Sequence, residues 1–131
     1  MWGPLRRGSS LGEALDGGQD GLFHVDALLP AGKSWSEVAL ADLAPRVEKL
    51  ASSKTALVPT LAYHATRLVE PKTDAPELRL LSPIYAQAWV ADAELRRYQL
   101  TQANGVELQK AGLAALQLMF ESVKLAHARG A

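Results

Sequence analysis

The sequence predicts an α/β fold in which short parallel strands alternate with helices. Residues 3–25 read as a loop, a short capped helix, a glycine-rich turn and a buried strand. A second short, apolar strand is predicted at residues 55–60, after an intervening helix. His24 stands at the exit of the first of these strands, and (β/α) barrels carry their active residues at the carboxyl ends of strands. We therefore expect the function of the chain to depend on His24.

The composition indicates one globular domain with a small-molecule partner. The 131 residues are 48% hydrophobic and 21% charged, and the 14 basic and 14 acidic side chains are interspersed. This balance argues against a nucleic-acid or membrane partner. Because no membrane-length apolar run and no secretory leader are recognised, we expect a cytoplasmic location. The absence of cysteine leaves histidine and carboxylates as the side chains for any metal.

The first helix and strand are signalled by their boundaries. Ser10 is the predicted N-cap of a helix over residues 11–15, with Glu13 completing a capping box. Glycines at 17–18 predict a left-handed stop. Residues 21–25 have the apolar, aromatic character of a central parallel strand.

The next helix and strand complete a predicted βαβ unit. Apolar residues recur at helical spacing and predict a helix over residues 42–52, with Pro45 in its first turn. The stripe consists of Leu40, Leu43, Val47 and Leu50. Residues 55–60 form the following strand, with Pro59 at its end, where no ladder hydrogen bond is lost.

The second half of the chain is predicted to be helical. Residues 61–74 read as a long insertion with a loop at 70–76, followed by a helical pattern over 77–98, so that 61–98 is expected to be a lid or rim. A last helix is predicted over 99–129, stopped by Gly130. Its predicted buried stripe is Leu113, Leu116, Phe120 and Val123.

Both ends of the chain suggest continuation. Residues 1–3 read as the tail of a strand, and a helix closed by Arg129, Gly130 and Ala131 normally leads into a further parallel strand. We therefore expect residues 1–131 to be one incomplete segment of a longer α/β domain.

Four stretches carry a resemblance to a known family. They are Gly-Pro-Leu-x-x-Gly-x-Ser-Leu-x-Glu-Ala at 3–14, Gln-Asp-Gly-Leu-Phe-His at 19–24, Val-Pro-Thr-Leu at 58–61 and Lys-Leu-Ala-His-Ala-Arg-Gly-Ala at 124–131. The chain resembles the amidohydrolase superfamily, in its branch of imidazolonepropionase-like enzymes and metal-dependent dipeptidases. The resemblance implies a (β/α)8 barrel of the TIM type that binds one or two divalent metals, usually zinc, and hydrolyses amide or related C–N bonds. The chain would span about strands 5 to 7 with their helices.

Carried over to this sequence, the family's site is sparse. His24 matches the metal-binding histidine of the sixth strand, whereas Pro4 stands where the fifth strand would have its histidine. The remaining ligands and the catalytic aspartate would lie outside residues 1–131, so the resemblance assigns no catalytic residue here. It implies a zinc-activated water as nucleophile and a small amide or dipeptide as substrate. It also implies self-association or a complementary barrel half as partner.

Each candidate residue has a plainer interpretation. His24 is alternatively a hydrogen-bonded structural residue, His64 either faces the same pocket or is a solvent-facing loop residue, and His127 reads as a surface residue. Asp26 either orients an imidazole or caps a turn. Five aromatic residues are candidates for the lining of a substrate mouth, and for Trp89 packing in a core or interface is the alternative. They are Trp35, Tyr63, Tyr85, Trp89 and Tyr98.

Three functions therefore stay open at this point. The chain is a piece of a metal-dependent amidohydrolase, a non-catalytic interaction protein that keeps the barrel segment as a scaffold, or a helical bundle in which the strands are wrongly predicted. A half barrel would expose a strand edge and apolar faces, which favours association.

Overall fold

The protein is an α/β structure with a small parallel sheet. The computed structural model describes residues 1–5, 9–66, 68 and 72–131. Strands β1 (Trp2–Pro4), β2 (Gly21–Phe23) and β3 (Ala56–Val58) pair in parallel in the order β1-β2-β3. The helices are α1 (Leu11–Asp16), α2 (Leu40–Ser52), α3 (Leu61–Thr66), α4 (Pro83–Thr101) and α5 (Gly105–Ala128). This order confirms the alternation of strands and helices in the first half.

The described residues divide into two compact units. The first, here called the sheet unit, comprises Met1–Ala62 and Ala114–Ala131. The second, here called the helical unit, comprises Tyr63–Leu113. The helical unit covers most of the range 61–98 that the sequence predicts as a lid or rim, and that role stays a prediction.

One side of the sheet is packed against helices. Leu22, in the central strand β2, is fully buried and belongs to one continuous apolar core. Helices α1 and α2 and the carboxyl-terminal part of α5 all contribute to this core. Its buried members are Leu11, Leu22, Val25, Ala27, Leu28, Trp35, Leu43, Val47, Leu50, Met119 and Ala126.

The other side of the sheet is open and apolar. Successive side chains of a strand point to opposite faces, so Phe23 lies on the side opposite to Leu22. Phe23 is 37% exposed, Val58 is 38% exposed and Trp2 is 57% exposed. A Cβ atom at Gly21 would lie 2.1 Å from the Trp2 ring, so glycine leaves room for the indole over the sheet. We call Trp2, Phe23 and Val58 the open face.

The start of the chain follows the predicted caps. Glu13 donates its backbone N–H to Ser10 Oγ at 3.2 Å, and Ser10 donates its own to Glu13 Oε2 at 2.6 Å. Gly18 has a φ of +73°, as the predicted left-handed stop requires. The predicted capping box is therefore confirmed. Residues 6–8 of the resemblance motif lie outside the described residues.

Helix α2 confirms three of the four residues of the predicted stripe, with Leu40 only half-buried, and it begins earlier than predicted. Leu43, Val47 and Leu50 are fully buried. The helix starts at Leu40 rather than at residue 42 because the Asp42 carboxylate accepts the Ala39 N–H at 2.8 Å. Pro45 therefore lies in the second turn, where it removes one hydrogen bond of the helix.

The predicted helix over residues 77–98 is interrupted. Pro76–Leu80 forms a 3₁₀ helix, and α4 starts at Pro83 after an extended Ser82 with a ψ of 150°. The break has a simple cause, because proline disfavours helical backbone in the residue before it and favours the first turn of a helix. Residues 61–66, predicted as the start of a long insertion, form α3. Residues 70 and 71 of the predicted loop lie outside the described residues.

Helix α5 buries a different stripe from the predicted one. Leu113 and Phe120 are 51% and 42% exposed, so their assignment to the core was wrong. Leu116 and Val123 do pack against the core, together with the buried residues Met119, Ser122 and Ala126. The observed spacing of three and four residues places Phe120 beside this seam rather than in it. Gly130, with a φ of +88°, ends the helix as predicted.

Among the described residues, none of the helices combines the length and the apolar character needed to cross a lipid bilayer.

Candidate functional site

His24 stands at the carboxyl end of the central strand. It follows β2 directly, its side chain is exposed and its φ is 70°. Its backbone N–H donates to Val58 O at 2.9 Å, and the next N–H, of Val25, donates to Pro59 O at 3.1 Å. The backbone of His24 is thus tied to the end of β3, and its side chain lies at the edge where the sequence places it.

The structure brings Thr60 to His24. Thr60 lies two residues past β3, its φ is 50°, and its Oγ1 is 2.7 Å from His24 Nδ1. The sequence analysis did not single out this threonine, although it lies in the Val-Pro-Thr-Leu motif. The signal in the sequence that points to Thr60 is its position just after a predicted strand, because residues that follow neighbouring parallel strands meet at the same edge of the sheet.

His24 and Thr60 also share an uncommon backbone. Among the described residues other than glycine, they are the two with positive φ. This conformation is unfavourable for side chains with a Cβ, and especially for β-branched threonine. Such outliers cluster at functional sites, where the surrounding structure holds them in place.

Asp26 contacts a tryptophan. The Trp35 indole Nε1 donates to Asp26 Oδ1 at 2.6 Å, and Trp35 is buried in the core. Trp35 is therefore a packing residue of the core rather than part of an open substrate mouth. The hydroxyl that holds the His24 ring belongs to Thr60, whereas Asp26 anchors the indole across the 3₁₀ helix Val25–Leu28.

The other histidines lie on helices. His64 is on α3, half-buried, and its ring contacts Tyr63 edge to face at 5.5 Å. It is therefore not a solvent-facing loop residue. His127 lies exposed in the last turn of α5, which confirms the prediction of a surface residue. Tyr63, Tyr85, Trp89 and Tyr98 are each 40% exposed or more.

The helical unit holds a cavity of about 430 Å³ beside a buried arginine. Arg96 pairs with Asp92 at 3.0 Å, donates to Thr66 O at 3.0 Å and lies 5.6 Å from the centre of the Trp89 ring. A cation at the last carbonyl of α3 stabilises that helix end. These contacts compensate the buried charge of Arg96, so its burial is explained without a ligand.

A metal centre needs more donors than this site contains. A catalytic zinc takes about three protein ligands and one open position. Within the part of the chain that the structure describes, no three His, Cys, Asp or Glu residues cluster to hold a metal ion. Pro4 ends β1 beside Phe23 and offers no donor at the position of the expected histidine. The described residues therefore do not make a metal site on their own.

What His24 offers chemically is an imidazole held by one nitrogen. With Nδ1 bonded to Thr60, the ring retains Nε2 for a ligand or a proton. The surroundings are apolar on the open face, through Phe23 and Val58.

No family model matches the chain, and neither the curated proteins nor the solved structures provide a match.

Proposed function

We propose that this chain is a segment of a metal-dependent amidohydrolase barrel, and that His24 is its contribution to the metal centre. The observation that carries the proposal is the place of His24, at the carboxyl end of the central strand of a parallel sheet. Catalytic residues of (β/α) barrels occupy this end of the strands. The assembled enzyme would hydrolyse amide or other C–N bonds of small substrates such as dipeptides or cyclic amides.

The architecture supports a partial barrel. In the barrel, parallel strands follow one another in chain order, and the helices lie on the outer side alone. The order β1-β2-β3 and the helix-covered core on the Leu22 side agree with this arrangement. The open face would then correspond to the barrel interior, which is packed with apolar side chains in a closed barrel.

The remaining parts of the site would come from elsewhere. Because the described residues do not complete a zinc site, the proposal requires a complementary barrel half or a further copy of this chain. A divalent metal, zinc in this proposal, would be held with residues that these partners supply. The cytoplasm is the proposed location.

The first test is the metal content of the purified chain by elemental mass spectrometry. Wild type is compared with His24→Ala and with His127→Ala, a matched control that removes an exposed histidine from α5. Near-stoichiometric zinc that is lost only in His24→Ala would support a centre assembled between copies. Zinc that survives His24→Ala would contradict the proposal.

A metal-free chain directs the test to the complementary half. The DNA on either side of the coding segment is read for strands that carry the missing ligands and a Gly-Thr-Asp strand end, and both parts are produced together. We expect zinc and hydrolysis of small amides or dipeptides, both lost in His24→Ala and kept in His127→Ala. A metal-free, inactive assembly, or flanking DNA without such strands, would refute the proposal.

The open face favours a second function, a non-catalytic interaction scaffold derived from the barrel. Trp2 and Phe23 lie in contact, with ring centres 6.4 Å apart, and both are more than one third exposed. Apolar surface of this kind promotes association. Analytical ultracentrifugation tests for this association. We expect the wild type to form oligomers that dissociate in Trp2→Ser. The control is Leu95→Ser, at an exposed leucine of α4, and it should leave the oligomers intact. A monomer at all concentrations would exclude it.

A further inference from the structure

Thr60 keeps a costly backbone conformation that glycine would adopt without strain. A non-glycine residue in the left-handed region is strained, and the strain falls on a β-branched residue here. The fold needs the turn after β3, but it does not need a threonine to make it. The side chain must therefore supply something that glycine lacks.

The hydrogen bond to His24 is what the side chain supplies. The distance of 2.7 Å between Thr60 Oγ1 and His24 Nδ1 lies within the normal range of a hydrogen bond. The two residues are 36 positions apart in the chain, and the backbone bonds from His24 and Val25 to the end of β3 place them side by side. The contact thus depends on the register of β2 and β3, which pairs Phe23 with Val58.

We propose that Thr60 is the positioning residue of His24. Its hydroxyl holds Nδ1, so that Nε2 is the ring nitrogen that faces a ligand at the carboxyl end of the sheet. A hydroxyl both donates and accepts, so Thr60 keeps the ring in place in either tautomer. This inference rests on the proposed function where it gives the ring a metal to bind, but the hydrogen bond that holds the ring does not require a bound metal.

The chain allows the hydroxyl to be removed with little else changed. Thr60→Val keeps the branched shape and the backbone strain and removes the hydrogen bond. Thr60→Ser keeps the hydroxyl and serves as the conservative rescue. Thr60→Gly also lacks the hydroxyl but relieves the strain, so it provides a folded variant if Thr60→Val is unstable. Thr66→Val is the matched control, because the Thr66 hydroxyl donates to Tyr63 O within α3.

The readout is the pair of imidazole nitrogen resonances of each histidine, measured by long-range ¹H–¹⁵N NMR. We expect Thr60→Val and Thr60→Gly to shift the His24 Nδ1 resonance, which reports the hydrogen bond to the hydroxyl at position 60. Thr60→Val should also weaken the contact between the His24 ring protons and the side chain at that position. Thr60→Ser should retain the wild-type pattern. The resonances of His64 and His127 should stay in place in all variants, and Thr66→Val should leave His24 unchanged.

Two results would overturn the inference. One is a His24 spectrum that is the same in Thr60→Val, Thr60→Gly and wild type. The other is a wild-type spectrum that lacks any contact between the His24 ring protons and the Thr60 side chain. Neither readout involves metal, so this test remains decisive even where the assembled enzyme binds no zinc and the proposed function fails.

Discussion

The two faces of the sheet predict that, at two neighbouring positions of β2, truncating the smaller side chain destabilises the protein more than truncating the larger one. Leu22 and Phe23 are consecutive in β2, but Leu22 is fully buried in the core whereas Phe23 is 37% exposed on the open face. Truncating Leu22 to alanine removes core contacts and leaves a closed cavity. We expect Leu22→Ala to lower the free energy of unfolding by about 2–5 kcal/mol.

Phe23→Ala removes a larger side chain and should cost less. Full burial of a phenylalanine contributes about 1.5–3 kcal/mol, and Phe23 is buried over roughly three fifths of its surface, which leaves about 1–2 kcal/mol. Because the position opens to solvent, no closed cavity adds to this cost. The smaller truncation is therefore expected to be the more destabilising one.

Urea unfolding at low protein concentration measures both changes, with the slope m compared between variants. A cost of Phe23→Ala equal to or above that of Leu22→Ala would refute the assignment of the two faces in the isolated chain. Repeating the measurement at high concentration separates a second cause. If a second copy covers the open face, the cost of Phe23→Ala rises with concentration, whereas that of Leu22→Ala does not.

Three further predictions concern caps, pH and strain. Ser10→Ala removes the cap of α1 and is expected to lower the free energy of unfolding by about 0.5–2 kcal/mol in urea. The Ser10 backbone and side chain hold the pKa of Glu13 below its usual range, and the side chain and backbone of Ser34 do the same for Glu37. Stability from these carboxylates is present above the pKa of the unfolded chain and is lost as pH falls through the lowered pKa, so Glu13→Gln and Glu37→Gln should flatten the acid limb of stability against pH. Thr60→Gly should be more stable than Thr60→Val by about 1 kcal/mol in urea, because relief of about 1–3 kcal/mol of strain exceeds the entropy cost of glycine.

Each of these predictions has its own control and contrary outcome. The control for Ser10→Ala is Ser52→Ala, which should change the free energy of unfolding by less than about 0.5 kcal/mol. Ser52 is exposed, and its hydroxyl donates to Lys49 O in the last turn of α2. An equal loss in Ser10→Ala and Ser52→Ala would count against the cap. If the variant that combines Glu13→Gln and Glu37→Gln loses stability at low pH as the wild type does, the two carboxylates are not the cause of that loss. A Thr60→Val variant more stable than Thr60→Gly would show that the backbone at this position is not strained.

Much of the local structure could be predicted because its signals lie within one or two turns of the chain. The Ser10 and Glu13 pair, the buried positions 43, 47 and 50 of α2 and the stop at Gly130 are all confirmed. The break before Pro83 in the predicted helix over residues 77–98 also has a local cause, the proline itself. It was not predicted because the residues on both sides follow a helical pattern. The stripe of α5 could not be chosen from periodicity, because apolar residues lie on more than one face of that helix.

The candidate site divides in the same way. The place of His24 at a strand end follows from the apolar run that precedes it and needs no knowledge of its neighbours. Its bond to Thr60 joins residues 36 positions apart, and it exists because β2 and β3 pair in one register. A shift of one residue would turn the strand faces over and separate the two side chains.

By itself, the sequence determined the order of strands and helices, the caps and the strand-end histidine, since these depend on residues close together in the chain. Only the tertiary structure decided which side of the sheet is covered and which residue holds His24. These features arise from contacts between distant segments, and the geometry of such contacts is set by packing and strand register rather than by local preference.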